Sequence, residues 1–72
     1  MATDMATSIS QIGETAGQIW QTLHARGTLT IPKLVKELDV PRDVIMQALG
    51  WLAREGKINI EEDSRTKTVS LR

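Results

Sequence analysis

"DVPRDVIMQALGWLAREGKI", residues 39–58, holds a helix with a marked start and a marked stop. Asp39 and Val40 form a turn, because the residue before a proline avoids the helical region. Pro41 then opens the helix, with its fixed φ suited to a first turn. Val44, Ile45, Ala48, Leu49 and Leu52 recur at helical spacing and predict a broad buried face. Gly56, after Glu55, supplies the left-handed stop. At about 100° per residue, the side opposite that face carries Asp43, Gln47, Gly50 and Arg54.

Upstream, "TLTIPKLVKELDV" leads into this helix. Leu29, between threonines, reads as a very short strand, and Thr30 caps a helix with Pro32 in its first turn. Leu34, Val35 and Leu38 form its apolar side, so two helices flank a three-residue turn. Further upstream, Ser8 and Gln11 have capping-box spacing. Ile9, Ile12, Ala16, Ile19 and Leu23 form one apolar stripe on a first helix that ends near Gly27. Residues 1–7 are small and polar without a period and read as a flexible tail, leaving residues 8–72 as the domain.

Downstream, the period changes to two. Ile58 and Ile60 alternate with Asn59 and Glu61, and Val69 and Leu71 with Thr68 and Ser70, across the polar connection "EDSRT". This predicts a β-hairpin with one apolar face. Helix, short strand, helix, helix and hairpin in that order predict an α+β winged helix-turn-helix, three helices with a short strand and a C-terminal β-hairpin wing.

"IGETAGQIW" and "ALGWLAREGKI", which hold Trp20 and Trp51, resemble a bacterial and archaeal family of small stand-alone winged helix-turn-helix domains of unknown function. The resemblance runs from about Ile9 to Leu71. It implies the winged-helix fold and, with it, DNA binding and a dimeric state.

The residues bear on those two expectations unequally. The 72 residues include nine basic and nine acidic side chains, so the long-range field that draws a protein to nucleic acid is absent for the whole molecule. DNA binding must then come from local groups. Gln47 can pair with adenine, and Arg42 or Arg54 can meet guanine or phosphate, while Asp43 repels the backbone it approaches. Lys33 and Lys36 on the second helix and Arg65 and Lys67 on the wing are phosphate candidates, although Glu61, Glu62 and Asp63 make the wing tip acidic on balance. Solvated polar positions would look the same.

Self-association has its own signal. Gly13 and Gly17 share a flank of the first helix with Trp20 and His24. Each glycine costs up to about 1 kcal/mol relative to alanine in a helix, which favours a packing reason for it. That reason is either the third helix of the same chain or a partner. Trp51 sits at the edge of the third helix's apolar face, half available, and joins Gly13, Gly17 and Trp20 as a candidate dimer interface. Met46, on the other flank, reads as a core-edge filler.

Catalytic residues, cofactor signatures and metal sites are not expected. A chain with one histidine and no cysteine has neither a nucleophilic triad nor a thiolate zinc site, and it has no glycine-rich phosphate loop. His24 reads as a favourable charge at a helix C-terminus. No small-molecule substrate is evident, and no run approaches the roughly 18 apolar residues of a membrane span. "MATDMATS" lacks the features of a secretory signal, so a cytoplasmic protein is expected. The leading reading is a homodimeric DNA-binding protein of the transcription-regulator type. The alternative keeps the fold as a protein-interaction module.

Overall fold

The computed structural model describes the backbone of residues 2–72 and the side chains of residues 9–72. The elements are α1 (Ala2–Arg26), β1 (Leu29–Thr30), α2 (Ile31–Glu37), α3 (Arg42–Arg54), β2 (Ile58–Glu62) and β3 (Lys67–Leu71). The strands form one antiparallel sheet in the order β1-β3-β2. The chain is therefore a winged helix-turn-helix, with β2 and β3 as the wing.

Local chemistry sets most boundaries. α1 stops where Gly27, at φ +83°, donates its N–H to the Leu23 carbonyl at 2.8 Å. α2 starts where the Thr30 hydroxyl oxygen accepts the Lys33 N–H at 3.2 Å, satisfying a donor the first turn leaves open. Leu38, expected on the helix, is its extended C-cap, so the connection to α3 is Leu38–Pro41. α3 closes through Glu55 onto Gly56 at φ +71°. At the wing tip the Asp63 N–H donates to the Thr66 carbonyl at 2.7 Å, and at the other end of the hairpin the Arg72 N–H donates to the Lys57 carbonyl at 3.0 Å.

Two expectations at the N-terminus are corrected. The helix starts at Ala2, not at Ser8, so Ser8 is no cap and residues 2–7 are helical backbone. Ala2, Met5 and Ala6 are strong helix formers, which favours continuing the helix through them. The side chain of Ser8 lies outside the described residues. Ile9 is 62% exposed and takes no part in the core stripe.

The core comprises Ala16, Ile19 and Leu23 of α1, Leu29 of β1, Ile31 and Leu34 of α2, Ile45, Ala48, Leu49 and Leu52 of α3, and Ile58 and Val69 of the hairpin. Val69 is fully buried because β3 is the central strand, facing Leu29 on one side and Ile60 on the other. Ile60 shares that sheet face but sits on the edge strand, and it is 41% exposed. The apolar face of the hairpin is thus covered at Ile58 and open at Ile60. α1 packs mainly against α3, which fixes one face of α3 and leaves the rest to solvent.

Candidate nucleic-acid interface and the α1–α3 groove

The capped start of α2, the first turn of α3 and the returning wing converge on one groove of about 300 Å³. Arg42, Met46, Arg65 and Lys67 line it, together with Glu62 and Asp63. The convergence follows from topology. β2 leaves the C-terminal end of α3 and runs back alongside it, so the wing tip returns to the N-terminal end of that helix. Three cationic side chains against two anionic ones leave this groove positive on balance, where the wing tip read alone is acidic.

Gln47 is exposed on α3, and Arg54 lies in its last turn, about 18 Å along the helix from Arg42 at 1.5 Å per residue. Lys33 and Lys36 are exposed on α2. None of Lys33, Lys36, Arg42, Arg54, Arg65 and Lys67 forms an ion pair among the described residues. The pairs present there are Arg26 with Glu37 at 3.0 Å and Lys57 with Glu55 at 3.7 Å. Met46, expected as a core-edge filler, is exposed and lines the wing groove beside Ile31 and Pro32. Its position about 100° from Ile45 carries it off the buried face.

A second, larger groove of about 690 Å³ runs between α1 and the C-terminal half of α3. Gly13, Gly17, Trp20 and Trp51 all line it, so the four residues singled out for association meet on one surface. Both Trp rings are half available, with Trp51 51% exposed. Trp20 stacks on His24 one turn later, ring centroids 5.0 Å apart and planes 12° from parallel. Lys57 and Arg72 also line the groove. They are carried there by the pairing of Ile58 with Leu71, which no local sequence pattern announces.

The surroundings of the glycines bear on one of the two reasons for their spacing. A methyl group placed at Gly13 or Gly17 meets no other part of the chain within 4 Å. Each lowers helix stability by about 0.8–1 kcal/mol relative to alanine. No close contact with α3 of the same chain offsets that, so the intra-chain explanation fails.

Comparison with known proteins agrees with this architecture. The family model described as "Winged helix-turn-helix domain (DUF2582)" matches residues 5–71. The uncharacterized protein MJ1608 of Methanocaldococcus jannaschii is 33% identical over 64 residues, covering 86% of this chain and 91% of that relative. Among solved structures, the crystal structure of the ArsR family transcriptional regulator RHA00566 superposes with a TM-score of 0.66 at 19% identity. That match covers 93% of this chain and 73% of the regulator, and at that identity the likeness is one of fold. With the family model spanning nearly the whole chain, the protein belongs to the winged helix-turn-helix domain family DUF2582.

Proposed function

We propose that the protein is a non-enzymatic, cytoplasmic DNA-binding regulator that acts as a homodimer on duplex DNA. One observation carries the reading. Arg42, Arg65 and Lys67, from two distant parts of the chain, share a groove between α3 and the wing, and none of them is held in an ion pair among the described residues. Unpaired cations at the junction of a groove-reading helix and a wing suit phosphate oxygens that flank a major groove. The regulator title carried by the structural neighbour supports the same class of function.

The dimensions divide the labour among the candidates. With Gln47 over base edges, Arg42 at the start of α3 and Arg54, about 18 Å further along it, meet the flanking backbone, and Lys33 and Lys36 on α2 meet phosphates alongside Arg65 and Lys67. Asp43, Glu62 and Asp63 oppose this attraction, so binding is modest in strength and falls steeply with salt.

The test is a titration of the protein at low salt against a broad pool of duplexes, repeated with Arg42→Ala and Arg54→Ala combined. Binding by the unmodified protein that is lost in the double variant is the expected result. No binding by the unmodified protein would replace this reading with that of a protein-interaction module. The zero net charge and the larger α1–α3 groove are what favour that second reading.

A further inference from the structure

Five large apolar side chains are exposed among the described residues: Ile9, Trp20, Met46, Trp51 and Ile60. Of these, only Met46 lines the groove that gathers Arg42, Arg65 and Lys67. It is 38% exposed, and the core does not need it, since Ile45, Ala48, Leu49 and Leu52 fill the buried face of α3. Its place along the helix is central. Met46 comes one turn after Arg42 and about 12 Å before Arg54. It therefore lies between the two arginines assigned to the flanking backbone, next to Gln47. Gly50, one turn further on, falls between these two in angle, about 40° from Met46 and about 60° from Gln47. A methyl group placed there meets nothing of the chain within 4 Å. The middle of α3 thus presents an apolar side chain, an amide and bare backbone, all exposed.

A thioether chain is no ligand for phosphate. A hydrogen-bonding base edge beneath it would lose water without gaining a partner. In the major groove guanine, cytosine and adenine are marked by donors and acceptors, whereas thymine adds a C5-methyl to its O4 acceptor. That methyl is the one apolar mark the base pairs carry there. Methionine suits it, because its flexible, polarizable chain moulds to an apolar contact. Gly50, with no side chain to hold the helix off, lets α3 settle onto the edges that Met46 and Gln47 reach.

Resting on the DNA-binding reading above, we propose that Met46 recognises thymine through its C5-methyl, beside the adenine met by Gln47. The protein then selects sites with A·T pairs under the middle of α3. The selection has an attractive and a repulsive part. The thymine methyl leaves water against the Met46 chain, and a cytosine in its place puts an amino donor under an apolar side chain.

The test compares thymine with uracil, which differ by that methyl alone. A duplex recovered from a random pool by its affinity at low salt is remade with uracil at each thymine in turn. Each form is titrated with the native chain, Met46→Ala and Gln47→Ala. Alanine is the best helix former and Met46 is exposed, so the variant should keep its fold, which circular dichroism checks. At one thymine or more, loss of the methyl should weaken native binding about fourfold. Met46→Ala should bind the thymine form weaker by about the same factor and be indifferent to the methyl at that position, while Gln47→Ala keeps the difference. A native chain indifferent to every methyl, or a difference that survives unchanged in Met46→Ala, would overturn the assignment of thymine to Met46 and leave DNA binding standing. Failure to recover any duplex would overturn the DNA-binding reading and this inference with it.

Discussion

Replacing both Gly13 and Gly17 by alanine should make the isolated chain more stable and its association weaker. Both positions lie inside α1, are exposed, have no positive φ and leave at least 4 Å clear for a methyl group. Only helix propensity and unfolded-chain entropy then change, which gives about 0.4–1 kcal/mol per site. With no shared partner in the chain the two effects should nearly add, for a total of roughly 1–2 kcal/mol. At about 4–8 °C per kcal/mol for a domain of this size, the melting temperature rises by roughly 4–16 °C. Urea and thermal unfolding at a concentration where the chain is monomeric would measure this. At high concentration the gain should shrink or reverse, because the added methyl groups hold the partner's helix away and remove the stabilisation that association supplies. Loss of stability at low concentration would refute the reasoning, since it would mean the glycines serve a contact within the chain. An equal gain at every concentration would refute their role toward a partner.

Further outcomes follow from the cap, the core and the wing. Thr30→Ala removes the acceptor of the Lys33 N–H and should cost about 1 kcal/mol in urea unfolding. Ile45→Ala empties a fully buried site near the start of α3, with an expected loss of about 2–5 kcal/mol; in so small a domain that should leave much of the population unfolded by circular dichroism. Arg26→Ala breaks the exposed pair with Glu37 and should change stability by less than about 1 kcal/mol. In a salt series of duplex binding, Arg65→Ala and Lys67→Ala should each lower the slope of log K against log salt by about 0.9, the signature of a lost phosphate contact.

The frame of the domain is legible in local chemistry: Thr30 before Ile31 and Pro32, the proline at 41, the glycines at 27 and 56, and the switch of period at Ile58 each act within a few residues. What was not legible depends on where a neighbouring element ends. Ile9 has helical core spacing but lies where nothing is left to cover it, and Ile60 has strand core spacing but sits on the edge of the sheet. The spacing of Gly13, Gly17 and Trp20 marks their flank directly, because one helix sets it. Trp51, Lys57 and Arg72 join the same groove only through α1–α3 packing and the β2–β3 register. Likewise, Arg42 meets Arg65 and Lys67 only because the hairpin returns to the start of α3. A charge count along the chain, which weights the wing by Glu61, Glu62 and Asp63, cannot anticipate that meeting.

The most direct test of DNA binding through α3 and the wing is an amide NMR titration of the 72-residue chain with a short duplex at low salt. The expected shifts concentrate at residues 31–36, 42–47, 54 and 62–67, while Gly13, Gly17 and Trp51 respond to protein concentration and not to duplex. Shifts confined to the α1–α3 groove, or none at any duplex concentration, would contradict the assignment of DNA binding to this face.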